Sequence, residues 1–197
     1  MKSVSYSQFL CCLICKKLMN HYFNLYLSTE RMYQNIMNTL TYENLHETKK
    51  HVSIQFPYNT YLCSIPLDFT QVPLHWHNDV EIIVIKKGCG IISVDTEPKV
   101  VKAGDIILVR PGQLHSIAQH GKDRMEYENI LFQTSLLYSD DSDPCTVGYF
   151  HPYFSLEYEL PWLFDDSFSC HQELSSCIET IDQLCSRKPH YYELSVK

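Results

Sequence analysis

Between residues 51 and 133 the chain is a succession of short apolar-rich segments, each cut off by a turn signal, and this rhythm limits the fold more than any other feature. Residues 52–56 alternate apolar and polar side chains, as a half-buried strand does. Pro57-Tyr58-Asn59 signals a turn, and 60–65 reads as a second strand. A long Val- and Ile-rich strand region covers 74–87, breaks at Gly88-Cys89-Gly90 and resumes over 91–94. Turn signals at 95–98, 104–105 and 111–112 separate further strands at 99–102, 106–109 and 114–118, and 125–133 is the last. Strands of this kind, with turns about every ten residues, build a β-sandwich or a barrel.

The flanks read differently. Residues 1–45 are weakly patterned and are expected to form a partly helical or disordered extension, with Met32 and Met37 as alternative starts. The barrel is expected over 46–135, and an aromatic and acidic region over 136–168 is expected to lie across it. In 169–197 Ser169 can cap a helix with Gln172 in capping-box position. Leu174, Ile178, Ile181 and Leu184, with Cys177 and Cys185, fall on one helical face, and Lys188-Pro189 ends the helix. That stripe suits packing on the chain's own barrel or pairing with a second copy.

Charge and cysteines exclude some function classes. The net charge is −7, and the basic residues are scattered as pairs such as Lys86-Lys87, so no face is suited to neutralising phosphates. Nine cysteines at irregular spacing do not form a disulfide framework, which points to a reducing, cytoplasmic setting. Cys12-x-x-Cys15 has no second pair or suitably spaced His, so it reads as apolar helix surface. The apolar run at 9–14 lacks a cleavage site, and no stretch approaches membrane-spanning length, so no membrane partner is expected.

The chemistry concentrates in His75-Trp76-His77-Asn78-Asp79-Val80-Glu81. On a regular strand, residues at i, i+2 and i+6 share a face, so His75, His77 and Glu81 are expected to project together and Trp76 to point away. Two imidazoles and a carboxylate can ligate a divalent transition metal, and His115, just after the Pro111-Gly112 turn, is placed to be a fourth ligand. The same groups, if buried, also suit hydrogen bonds to one another, to a sugar or to water.

These residues resemble the cupin superfamily. His75-x-His77, Glu81 and Gly88 match its first motif, and Gly104 with Gly112-Gln113-Leu114-His115 matches its second. Phe69 stands where the first motif opens with Gly, Arg110 takes the usual Pro position, and Gln119 replaces a closing Asn. The segments 73–77, 81–85, 101–109, 111–116 and 127–132 resemble more narrowly the effector-binding domain of AraC-type transcription regulators.

The resemblance implies a mainly β fold, a cupin double-stranded β-helix or jelly-roll barrel, followed by one or two C-terminal α-helices. It implies a small, often sugar-like effector bound by His75, His77, Glu81, His115 and Tyr127, with His75, His77, Glu81 and His115 as candidate ligands for Zn, Ni, Fe or Mn. It also implies a homodimer formed through the helix carrying Leu174, Ile178, Ile181 and Leu184. Such regulators reach DNA through helix-turn-helix units after the linker, which are expected to be absent from this chain. The competing reading is a metal-dependent cupin enzyme of dioxygenase or isomerase type, with a metal-storage or scaffold protein as a weaker third. No catalytic residue is assigned, because no further acid–base or nucleophilic set stands out.

Overall fold

The computed structural model describes residues 38, 39, 41–140, 142–158 and 160–197. The readings made above for Cys12-x-x-Cys15, for the run at 9–14 and for Met32 and Met37 lie outside the described residues. The chain divides into the units Met1–Leu45 and His46–Lys197. In the first, residues 41–43 are helical; the second contains the barrel.

Among the described residues, eight strands make up the sheet structure. One layer runs in the order β1 (Tyr58–Ile65), β7 (Met125–Phe132), β3 (Val80–Val94), β5 (Ile106–Val109) and β8 (Leu163–Phe164). The other joins β4 (Glu97–Lys102) and β6 (His115–Gln119) to the second half of β3, with β2 (Gln71–His75) paired to β6. All these pairings are antiparallel.

The fifteen-residue β3 therefore belongs to both layers: its first half pairs with β7 and β5, its second with β4 and β6. The passage between them carries a register shift between Ile85 and Lys87. That shift changes which parity faces inward. Glu81, Ile83 and Ile85 are buried before it, Ile92 and Val94 after it. One inserted residue is what such a switch requires. Gly88 sits at the bend with φ of 73°, and a Cβ there would lie 1.8 Å from the Arg124 carbonyl oxygen. The Gly88-Cys89-Gly90 interruption read from the sequence is thus a corner inside one strand. The real break in the expected 74–87 strand falls at residues 76–79.

The interior is aliphatic, with Ile65, Ile83, Ile85, Ile92, Ile107 and Ile117 all at 1% exposure or less. A second cluster lies on the outer face of the β1–β7–β3–β5 layer, where Ile106 and Ile130 meet Ile178 of the helix α2 (His171–Arg187). Leu174 packs there too, with Phe164. Two members of the apolar helix stripe are therefore committed to the chain's own barrel; Ile181 and Leu184 are half-buried outside that cluster. Lys86 extends the attachment by reaching Glu128 of β7 at 2.6 Å and Asp182 of α2 at 3.3 Å.

Two local readings are corrected. Residues 52–56 form no strand: the Ser53 hydroxyl donates to the Phe56 carbonyl (3.0 Å) and accepts from the Phe56 amide (3.2 Å), closing a turn instead. Cys170, not Ser169, occupies the N-cap of α2, and no side chain caps it. His171 instead bonds through Nε2 to the Gly104 carbonyl at 2.8 Å, tying the first turn to the barrel. Lys188, in the left-handed conformation with φ of 44°, ends the helix before Pro189. A short helix α1 (His151–Phe154) lies in the aromatic segment, and α3 (Tyr192–Val196) follows α2. Among the described residues no helix is long and apolar enough to cross a membrane.

Candidate functional site

His75 ends β2 and His115 begins β6, and the two are opposite each other in the antiparallel register. Their rings lie 4.1 Å apart between centroids. His77 sits in the bend after β2, and Glu81 is the second residue of β3. His75 and Glu81 therefore do not share a face of one regular strand, as the spacing predicts. They converge because the chain leaves one layer at 76–79 and re-enters in the other. The Gly112 amide donates to the His77 carbonyl at 2.9 Å, which joins the two motif loops.

Each imidazole is held by its Nδ1. His75 meets the Pro73 carbonyl at 2.9 Å, His77 the Asp79 carbonyl at 3.0 Å and His115 the Gln113 carbonyl at 2.9 Å. A carbonyl only accepts, so each Nδ1 is assigned the proton. In the neutral rings the three Nε2 atoms then carry lone pairs. One ring nitrogen from each of the three histidines and a Glu81 oxygen all lie within 4.8 Å of one another. Glu81 Oε2 is 3.1 Å from His77 Nε2 and 2.9 Å from His115 Nε2. The first contact has hydrogen-bond alignment, so His77 must carry a second proton to donate it. The second contact is as short but lacks that alignment, and His115 Nε2 is buried without a hydrogen-bond partner.

The electrostatics follow from this geometry. Burial alone would raise the Glu81 pKa, but His115 and His77 outweigh it and hold the carboxyl well below the usual range. Burial also works against charge on His77, yet Glu81 prevails and raises its pKa. His75 goes the other way: burial, reinforced by His115, lowers it. A buried carboxylate facing imidazole lone pairs needs a cation, either a proton on a ring or a metal ion. Metal–nitrogen and metal–oxygen bonds of about 2.0–2.2 Å put neighbouring ligand atoms roughly 3.0–3.5 Å apart, close to the two contacts at Glu81. The donor set, the fixed tautomers and the orphaned His115 nitrogen fit a divalent transition metal.

Above these residues is a cavity of about 260 Å³. Its wall combines His75, His77, Glu81 and Tyr127 with Phe69, Val72 and Leu131, and with the polar groups of Gln71, Asn129 and Lys49. Tyr127 is 1% exposed and belongs to the core, although it lines the cavity. Asn129 Oδ1 is buried without a partner. Leu174, Ile178, Ile181 and Leu184 lie on α2, outside this cavity.

Glu47 and His51 stand in no motif and carry no signal in the sequence. The Glu47 carboxylate is 3.0 Å from His51 Nε2 and 3.6 Å from His75 Nε2, so this segment closes one side of the mouth. It is held by an isolated bridge between His46 and Trp76, whose rings stack at 4.1 Å. Trp76 thus stacks on His46 and stays out of the cavity that His75 and His77 line.

Residues 68–140, which span most of this barrel, match the family model of AraC-like ligand binding domains. The chain is similar, at 24% identity over 156 residues, to the uncharacterized HTH-type transcriptional regulator YdeC of Bacillus subtilis (strain 168). The match covers 78% of this chain and 52% of that protein, so the chain spans about half the length of this curated relative. Among solved structures it is similar to a cupin protein from Bacteroides fragilis, with a TM-score of 0.39 and 23% identity over 43% of this chain and 72% of that one. It is also similar to the DMSP lyase DddQ from Ruegeria pomeroyi, with a TM-score of 0.36 and 18% identity over 40% of each chain. Likenesses at these scores say nothing about activity.

Proposed function

We propose that this domain senses a small, hydroxyl-rich effector of the monosaccharide class on behalf of a transcription regulator. The observation that carries the reading is the cavity of about 260 Å³ with His75, His77 and Glu81 in its wall and the buried His115 grouped with them outside its lining. The volume is just below the ~300–1,000 Å³ typical of sites for drug-sized ligands, which suits a small molecule. Mixed donors and acceptors beside apolar side chains suit a sugar, whose hydroxyls bond the polar groups while its C–H faces meet Phe69, Val72 and Leu131.

In this reading His75, His77, Glu81 and His115 hold a divalent metal, and Asn129, Gln71 and Lys49 orient the effector. When bound, the metal supplies a Lewis-acid site for an effector oxygen. Glu81 offsets the cation's charge, and the carbonyls of Pro73, Asp79 and Gln113 fix the ring orientations. The regulator acts as a homodimer in which Ile181 and Leu184 of α2 contribute to the contact. DNA is reached through helix-turn-helix units of the intact regulator. A metal-dependent enzyme is the second reading, favoured by the four-ligand cluster itself.

The test is a thermal-shift screen of the purified chain with monosaccharides, with and without Zn²⁺, Ni²⁺, Fe²⁺ and Mn²⁺. A native-state binder raises the melting temperature by mass action, about 2.7 kcal/mol at a hundredfold excess over Kd. Saturable stabilisation by a sugar, diminished in Asn129→Leu and without consumption of the sugar, is expected. Turnover of the sugar supports the enzyme reading instead, and a complete lack of response across the sugar panel overturns the effector class.

A further inference from the structure

A second group of metal-ligating side chains lies outside the cavity, at the corner where β3 passes the turn between β6 and β7. Cys89 occupies the bend between Gly88 and Gly90, and His120 and Asp123 are the ends of the tight turn after β6. None of the three lines the cavity. From His115 to Gln119, β6 rises roughly 13 Å at about 3.3 Å per residue, so the turn is at the far end of that strand from His115.

Sγ of Cys89 is 3.1 Å from Asp123 Oδ2 and 3.9 Å from His120 Nδ1, and His120 Nδ1 is 3.0 Å from the same oxygen. Zinc bonds of about 2.3 Å to sulfur and 2.0–2.2 Å to nitrogen and oxygen, at tetrahedral angles, separate the ligand atoms by roughly 3.4–3.6 Å. The three atoms are within about half an ångström of that arrangement. From it we infer that Cys89, His120 and Asp123 form a zinc-class metal site, distinct from the histidine cluster in the cavity.

The ligands are placed before any metal arrives. In the metal-free protein the Cys89 thiol and the protonated His120 Nδ1 both donate to Asp123 Oδ2, which gathers the three atoms. The metal replaces those two hydrogens. The thiol proton leaves to solvent, and the His120 proton moves to Nε2, freeing the Nδ1 lone pair; net, one proton is released. The backbone is equally fixed. The Asp123 amide donates to the His120 carbonyl at 2.9 Å and the Cys89 amide to the Arg124 carbonyl at 3.2 Å. Gln119 Nε2 donates to the Asp123 carbonyl at 3.0 Å, which gives a role to the residue where the cupin motif has Asn. The His120 and Asp123 side chains are 46% and 55% exposed, so the site opens to solvent and water completes the tetrahedron. Thiolate, imidazole and carboxylate together suit zinc, and exclude the hard, all-oxygen preference of magnesium or calcium.

Cobalt(II) titration of the full chain under reducing conditions tests the inference, because only a thiolate-bearing site gives a sulfur-to-cobalt charge-transfer band. The His75–His77–Glu81–His115 cluster contains no cysteine, and a band drawn from Cys63 in the cavity wall survives Cys89→Ser. The expected result is one equivalent of the band, lost in Cys89→Ser, retained in His77→Ala and displaced by Zn²⁺. Asp123→Asn, which leaves the thiol in place, is expected to weaken cobalt binding at least tenfold. Absence of the band in the wild-type chain overturns the site, and so does a band that persists unchanged in Cys89→Ser, since another thiol would then be its source.

Discussion

His115 Nε2 lies 2.9 Å from Glu81 Oε2, yet the pair is not aligned as a hydrogen bond and the nitrogen has no other partner. A short contact without that alignment is what two ligands of one ion show. If the proposed metal sits there, Glu81→Gln removes the anionic ligand and leaves the three imidazoles in place. The expected result is a metal affinity reduced at least tenfold, read by isothermal titration with Ni²⁺ or Zn²⁺ in a Cys89→Ser background that silences the second site. Equal affinity in the two proteins would mean that the four residues form only a polar wall.

Gly88 is the mechanical pivot of the barrel. Its φ of 73° is one that L side chains rarely adopt, and an added Cβ would stand 1.8 Å from backbone oxygen of Arg124. Gly104 has a positive φ of 96° too, but nothing lies within 4 Å of where its Cβ would be. The left-handed strain alone costs about 1–3 kcal/mol. Gly104→Ala is therefore expected to stay within that range, whereas Gly88→Ala exceeds it or fails to fold. Urea unfolding of the two variants side by side checks the order.

How much of this was legible in the sequence depended on distance along the chain. His75, His77, Glu81 and His115 are found together because motif spacing encodes a local geometry, although the regular strand assumed for it is broken at 76–79. Glu47 and His51 reach the same site from outside the motif, across an unpatterned segment, and nothing in one sequence links position 47 to position 75. Cys89 and His120 are 31 residues apart, and only the folding of β3 against the β6–β7 turn makes them neighbours. Residues 52–56 show the opposite failure. Their alternation is correct for a strand, but Ser53 bonds its own backbone and claims the segment for a turn.

Lys86 is expected to govern the docking of α2 because it stands between two acids. Glu128 is 5% exposed and Asp182 faces it, so without the ammonium the two carboxylates meet unopposed. Partial burial works against the Lys86 charge, but Glu128 and Asp182 outweigh it and raise its pKa. A raised folded pKa contributes stability that is fully present below the unfolded value of about 10.4, and that is lost as pH rises through the folded value. Burial and then Glu128 raise the Asp182 pKa as well, so the acid itself loses stability as pH climbs through the carboxylate range. Lys86→Met should therefore destabilise by an amount between the ~1 kcal/mol of an exposed pair and the ~3–5 kcal/mol of a fully buried one. Asp182→Asn should recover part of that loss, and Lys86→Met should show a smaller alkaline loss of stability than the wild-type chain, with the part due to buried Tyr58 and Tyr127 remaining. Denaturation followed from neutral to strongly alkaline pH measures both effects.

The helix stripe separates into two roles that mutation can tell apart. Ile178 is 6% exposed against Ile106 and Ile130, so its truncation opens a cavity in the chain's own core. Ile178→Ala is expected to cost about 2–4 kcal/mol, with no change in oligomeric state at concentrations where the chain is still folded. Ile181 and Leu184 are half-buried and outside that cluster. If α2 forms the proposed dimer contact, a charge there faces its own symmetry mate, because a two-fold interface is self-complementary. Ile181→Asp should then shift sedimentation from dimer to monomer while costing less monomer stability than Ile178→Ala. A wild-type chain that sediments as a monomer, or an Ile181→Asp variant that remains dimeric, places the contact elsewhere and leaves α2 as a strut for the barrel alone.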